Sequence, residues 1–329
     1  MVEDKDGDLW ICTEGGGLNC LNRKTQTFRY YVSEDKNGPP HNNLKSISYD
    51  EKRDMLYIGT HTGGLSKFHI PTQRFHHYME HSGDSSPLRP NYIIHHTGIY
   101  KDYLYVSARN GLFRMNLNTE EFTDLGHYCE NFFIDSKGYL WYSFSGNLTR
   151  LNTNDLSEVK EISLRKRGMR FDATHILESN GNIYIGTRGS GLYKYNDADD
   201  TLTAYTVSSG HLMSNYCYNM VQTKSGNLVI TGDKGVTFFN PQQEISRFVK
   251  LGVSFLLPLL PRDVALYCVT TMRSSWEGQT GSLPSGKPNS MWIKKSTLFI
   301  FPICTFITNS SLRGTIPVFY RRHCPLQIK

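Results

Sequence analysis

Three aspartates at alternate positions, Asp4, Asp6 and Asp8 in the stretch EDKDGDLW, carry the oxygen chemistry and spacing that open a calcium loop. Such a loop wants glycine at its sixth position and a bidentate glutamate at its twelfth, and Gly7 falls too early for it. The stretch is therefore expected to be a hairpin turn. The same grouping of Asp, Gly and Trp raises the question of glycoside hydrolysis, which needs two carboxylates facing one another across roughly 5 to 9.5 Å. Asp50 and Asp135 stand in further turns of this type, spread along the chain, and supply no converging pair, so no catalytic residue is assigned. Histidine is dense early, at His61, His69, His76, His77, His81, His95 and His96. Successive residues of a strand point to opposite faces, so neither His76 with His77 nor His95 with His96 can ligate one metal. Seven scattered cysteines include no CxxC pair, and neither a metal, a cofactor nor a disulfide scaffold is expected.

These residues are set in a repeat. The triplets Leu9-Trp10-Ile11, Leu56-Tyr57-Ile58, Leu104-Tyr105-Val106, Leu140-Trp141-Tyr142, Ile183-Tyr184-Ile185 and Leu228-Val229-Ile230 begin 47, 48, 36, 43 and 45 positions apart. Before each comes a polar turn, mostly with glycine (DKDGD, DSKGY, SNGNI, KSGNL). After each comes a second Gly-containing turn (TEGGGL, THTGGL, ARNGL, FSGNL, TRGSGL, GDKGV). Apolar alternation on both sides of a short glycine turn marks antiparallel hairpins. A third strand (LNCLN, LSKFH, LFRMN, LTRLN, LYKYN, VTFFN) and a fourth (QTFRYY, QRFHHY) complete each unit. Four antiparallel strands repeated about an axis make an all-β fold, a β-propeller of about six in-frame blades in a ring designed for seven. No stretch holds helical apolar spacing over 12 residues without an interrupting glycine, which sets helical solenoids aside.

The unit from Glu3 to Tyr31, EDKDGDLWICTEGGGLNCLNRKTQTFRYY, resembles the two-component regulator propeller repeat: Asp, two residues, Gly, one residue, Leu-Trp-Ile-Gly-Thr, then Gly-Gly-Leu and a closing Phe before Tyr. LYIGTHTGGLSKF and IYIGTRGSGLYKY match it in the second and fifth units, whereas the third, fourth and sixth lack the Gly-Thr pair. The resemblance covers Val2 to Lys250. It implies the periplasmic sensor region of a Bacteroides-type hybrid two-component protein, homodimeric at full length, that detects glycan fragments and switches on polysaccharide-degrading genes. No kinase His box, receiver or DNA-binding helix pair is read in this sequence, so the resemblance implies the sensor alone and no enzyme.

Binding is expected on one face of the ring, where the turns joining second to third strands meet the connections between blades. The first set offers Glu14, His61, Arg109, Arg188 and Asp233; the second offers Asn43, Arg89, Asn91, Tyr92, Arg170, Phe171, Asn215 and Tyr216. Arginine there can grip carboxylate or sulfate, and aromatic rings can stack on sugars. The candidate ligand contacts are His61, Arg89, Tyr92, Arg109, Arg170, Phe171, Arg188 and Tyr216, with an oligosaccharide as ligand. Asn43, Asn91 and Asn215 recur just before an inner strand, which suggests turn chemistry. A propeller glycosidase or lyase, and a scaffold without a small ligand, are the alternatives.

The formal charge of +6 on 329 residues first suggests nucleic acid. Val253 to Lys329, however, holds nine of the 36 basic residues and two of the 30 acidic ones, which leaves 27 against 28 before it. Neither nucleic acid nor an anionic surface is therefore an expected partner. The repeat also stops there, and seven of 13 prolines follow. Read in another frame, Met272 to Gly281 permits the peptide EIFVGGTNG, with Trp276 before Glu277 forcing a glycine. This restored motif lies near Arg273, one period of 45 beyond Leu228. Residues 1–252 are therefore expected to be propeller and 253–329 an out-of-frame tail, poorly ordered and poorly soluble. The first residues, Met-Val-Glu-Asp-Lys-Asp, have no apolar core of a signal peptide. The apolar run Leu298 to Ile307 is half the roughly 20 residues a membrane helix needs.

Overall fold

In the computed structural model, residues 1–78, 87–88, 93–167, 173–223 and 225–250 are described. The expected tail, 253–329, lies outside them. The described chain forms six four-stranded antiparallel sheets. The first blade holds β1 (Val2–Glu3), β2 (Leu9–Cys12), β3 (Leu18–Asn22) and β4 (Thr27–Tyr31), and the second β5 (Leu44–Asp50), β6 (Met55–Thr60), β7 (Leu65–His69) and β8 (Arg74–Tyr78). In the third are β9 (Ile94–Tyr100), β10 (Tyr103–Ala108), β11 (Gly111–Asn116) and β12 (Phe122–Asp124), and in the fourth β13 (Phe132–Ile134), β14 (Tyr139–Phe144), β15 (Asn147–Asn152) and β16 (Val159–Ser163). The fifth consists of β17 (Ala173–Ser179), β18 (Asn182–Thr187), β19 (Leu192–Asn196) and β20 (Thr201–Tyr205), and the sixth of β21 (Asn219–Gln222), β22 (Leu228–Gly232), β23 (Gly235–Asn240) and β24 (Ile245–Lys250). Each strand pairs with the next within its blade, and the inner strands of consecutive blades lie side by side around the ring: a β-propeller. Among the described residues no helix is long and apolar enough to cross a membrane.

The aromatic triplets occupy the second strand of every blade. Those strands are apolar on both faces, because an inner blade packs against a neighbour on each side. Leu104, Tyr105 and Val106 of the third blade are accordingly all buried, while outer strand β12 is mostly exposed. The core is thus a series of seams between blades. Trp10, Leu18 and Cys20 meet Leu56, Ile58 and Phe68 in the first. Trp141, Leu148 and Ile162 meet Ile183, Ile185 and Tyr195 in the fourth.

Asp4 lies in the β1–β2 hairpin. One of its carboxylate oxygens accepts the backbone N–H of Asp6 and Asp8, each at 3.0 Å, and the other accepts the Trp10 indole N–H at 2.7 Å. Asp135 repeats this with Lys137, Tyr139 and Trp141 at 3.0, 2.8 and 2.8 Å. Asp, Gly and Trp recur together because the carboxylate ties the turn to a buried indole. The glycine has positive φ at Gly7 (82°) and Gly138 (87°), where a β-carbon is disfavoured.

The asparagine that closes most third strands also has a repeated task. Asn22 Oδ1 accepts from Lys24 and Thr25 N–H at 3.1 and 2.8 Å, and Asn116, Asn152 and Asn240 do the same in their own turns. This Asx geometry supplies partners for turn amides that have none in the ladder. Asn116→Ala is expected to destabilise by about 1 kcal/mol, measurable by urea denaturation, with little change in far-ultraviolet circular dichroism.

Inner strands line the ring's axis, where His96 and His175 sit within electrostatic reach of each other. Burial lowers the basicity of both, to about 4 for His96 and about 3 for His175. Each is therefore neutral in the folded chain at pH values where the unfolded chain is already protonated. The stability that neutrality confers is complete above about pH 6.5 and is lost progressively toward pH 4. A decline on the order of 2 kcal/mol across that window is expected. Thermal melts of wild type and His96→Gln check it: the variant should show a shallower acid slope.

Candidate functional site on the loop face

The turns joining second to third strands are built around threonine and glycine. Thr13 Oγ1 donates to Gly17 O at 2.9 Å, Thr60 Oγ1 to Gly64 O at 2.9 Å and Thr187 Oγ1 to Gly191 O at 2.6 Å. These threonines are buried, and each closes its own turn. The turn is then tied to a connection between blades, the one entering the next blade in the first and fifth blades and the one entering its own blade in the second and third. Gly15 and Gly17 N–H donate to Asn42 O at 3.0 and 2.9 Å, and His61 N–H donates to Asn43 O at 2.9 Å. Arg109 N–H donates to Ile93 O at 2.9 Å, while Gly189 and Gly191 donate to Asn215 O at 3.1 and 2.9 Å. Bridges pair Glu14 with Asn43 and Arg188 with Tyr216. Turns and blade connections therefore share one face. Asn43 and Asn215 serve it through their backbone carbonyls, and Asn215 Oδ1 also accepts from Val207 N–H at 2.8 Å.

Two groups of side chains form on this face. The first surrounds His95, which feels the charges of Glu130, Arg109, Lys45 and His61. Burial is the main cause of its lowered basicity, Glu130 opposes the shift and Arg109, Lys45 and His61 reinforce it. Its Nε2 is buried without a hydrogen-bond partner among the described residues. The His95 ring meets Tyr128 at 6.4 Å, and Tyr128 meets Phe144 edge-on at 5.0 Å. His41 lies 6.3 Å from His61, and Lys45 pairs with Glu14. The second group surrounds Tyr218, whose hydroxyl is made less acidic by burial first, then by Asp233 and Tyr216, with Arg188 opposing. Tyr216 lies 6.3 Å from Tyr218. Asp233 accepts from Ser214 Oγ, which in turn accepts Tyr216 N–H at 2.9 Å.

Of the candidate ligand contacts, the structure brings His61 and Arg109 together around His95, and Arg188 and Tyr216 together around Tyr218. Arg89, Tyr92, Arg170 and Phe171, with Asn91, lie outside the described residues. Sequence reasoning passed over Phe144, Tyr128 and Lys45. A signal for Phe144 was present: it stands where Thr13, Thr60 and Thr187 close their turns. A hydroxyl needed for the turn has been exchanged for a ring that is 49% exposed. Tyr216 is 44% exposed, so both rings offer a face to a ligand.

Among the described residues no group of three or more His, Cys, Asp or Glu is placed to hold a metal ion. The carboxylates of Asp4 and Asp135 are taken up by their turns and indoles. Chemically, the face can stack flat apolar surfaces on Phe144 and Tyr216 and hydrogen-bond hydroxyl or acidic groups through arginine, histidine and lysine.

No protein-family model and no curated protein matches the sequence. Solved structures do. An extracellular domain assigned to the hybrid two component system BT3049 of B. thetaiotaomicron shares 25% identity and a TM-score of 0.61, over 76% of this chain and 34% of that one. The chain is similar to the extracellular region of two-component sensors. An extracellular domain assigned to the BT4673 system of the same organism matches this sensor-like propeller in fold, at 18% identity and a TM-score of 0.53, over 77% of this chain and 43% of that one. The computationally designed protein Ika8 matches in fold at 9% identity and a TM-score of 0.53, over 75% and 72%. The sensor-like propeller thus spans about a third of the BT3049 chain and less than half of the BT4673 chain.

Proposed function

We propose that the chain is the ligand-sensing propeller of a periplasmic hybrid two-component regulator and that its loop face recognises an oligosaccharide. The observation carrying this reading is the likeness to the BT3049 extracellular domain at 25% identity over three quarters of this chain. The loop face adds support, with exposed Tyr216 paired with Arg188 and exposed Phe144 against Tyr128, aromatic faces and a cation that suit a sugar. The mechanism is binding, not turnover. Occupancy of the loop face changes how the sensor packs in its homodimer, and the change crosses the membrane through further parts of a longer protein.

Calorimetric titration against a panel of glycan fragments, with analysis of products, tests the reading. Heat without products is expected. Products would establish a glycosidase or lyase, and absence of both would leave a scaffold. With a binding fragment in hand, Tyr216→Ala and Arg188→Ala should each weaken affinity by about tenfold, the scale of one aromatic or charge-assisted contact of roughly 1.4 kcal/mol.

A further inference from the structure

The opposite face of the ring carries a cavity of about 740 Å³ where the fourth, fifth and sixth blades meet. That size lies within the range of small-molecule sites, roughly 300 to 1,000 Å³. Its floor is apolar and comes from inner strands: Phe133 of β13, Leu177 of β17 and Met220 of β21. Its rim is polar and comes from hairpin turns and strand ends, with Glu178, Asn180, Asn227 and Gln242 among the lining residues.

Two rim groups are held in place by neighbouring turns. Glu178 is held in place, one carboxylate oxygen accepting Ser136 N–H at 2.7 Å and the other accepting Ser136 Oγ–H at 2.8 Å, with lone pairs left over. Asn227 has its backbone N–H on Thr223 Oγ1 at 3.1 Å and its amide nitrogen on Ser225 Oγ at 3.3 Å. These bonds fix the turn that carries the Asn227 carboxamide at the rim.

The chemistry of the lining selects the ligand. Carboxamides both donate and accept, as hydroxyl groups do, and a carboxylate accepts from paired hydroxyls. Among the described lining residues the one carboxylate, Glu178, stands at the rim and disfavours an anionic ligand. An apolar floor beneath such a rim suits the C–H face of a sugar ring. We infer that this cavity is a second binding site that takes a neutral mono- or disaccharide, separate from the loop face. It goes beyond the reading of the loop face and stands or falls independently of it.

The probes are glucose, galactose, mannose and cellobiose, with glucuronate as the charged control, titrated into the full chain and followed by saturation-transfer NMR and by calorimetry. At least one neutral sugar should bind and glucuronate should bind at least tenfold more weakly. Glu178→Gln and Asn227→Ala should each weaken the neutral sugar by about tenfold, while Tyr216→Ala leaves it unchanged. Thermal melts identify variants that unfold; for any such variant, Asn180→Ala at the rim serves in its place. The inference is overturned if no neutral sugar binds, if glucuronate binds as well, or if the rim variants bind like wild type. Binding abolished by Tyr216→Ala but kept in the rim variants also overturns it, while leaving the loop-face reading intact.

Discussion

Gly191→Ala is expected to lower the stability of the propeller by about 3 kcal/mol, with a fall of roughly 6 to 12 °C in melting temperature. Two causes act together. Gly191 has φ of +92°, and a β-carbon there would meet the carbonyl oxygen of Tyr205 in the outer strand of its own blade. Gly17 repeats the arrangement, with φ of +69° and the Tyr31 carbonyl oxygen in the way. The glycine before the leucine of the third strand is thus required by close backbone approach as well as by dihedral angle. Gly181 separates the two causes, because its φ is +73° and a β-carbon would meet nothing within 4 Å. Gly181→Ala should cost only about 1 kcal/mol. If the two alanine variants melt alike, the close approach carries no weight and the account of the turn is wrong.

Asp135→Ala should cost about 3 kcal/mol. It removes the acceptor of two turn amides and of the Trp141 indole, and Trp141 is only 2% exposed, so its N–H has no water to turn to. Trp141→Phe keeps much of the ring packing against Tyr195, 5.4 Å away, but leaves a carboxylate oxygen unpaired in a buried position. A loss of about 2 kcal/mol follows. The double variant should be less unstable than the sum of the two by at least about 1 kcal/mol, since each single change strands the partner of the other. Guanidinium denaturation of the four proteins closes the cycle. Strict additivity would show that the indole and the carboxylate act separately.

How far the residues alone could lead depends on the distance over which information is written. The triplets, the glycine turns and the third strands are local, and all six blades fall where their spacing places them. The use of Asp4 was half legible: the turn could be read from EDKDGD, but its bond to Trp10 needs the hairpin to bring residue ten over residue four. The pairing of the two loop sets was legible because it repeats from blade to blade. The cavity was not, since Phe133, Glu178, Asn227 and Gln242 come from three blades and more than a hundred positions of chain, and none belongs to a motif. Adjacent histidines were read as facing apart, but that His96 would come within electrostatic reach of His175 requires knowing which strands are innermost.

The backbone ties on the loop face have an evolutionary meaning. Gly15 and Gly189 lock their turns to the connection into the next blade, and His61 and Arg109 lock theirs to the connection into their own, all through main-chain N–H groups, and a main-chain bond is indifferent to the side chain that projects beside it. Glu14, His61, Arg109 and Arg188 can therefore be rewritten one at a time without breaking these main-chain ties. A chain built this way can acquire a new specificity by point changes at a ring of interchangeable positions, while its stability remains invested in threonines, glycines and aspartates that never touch the ligand.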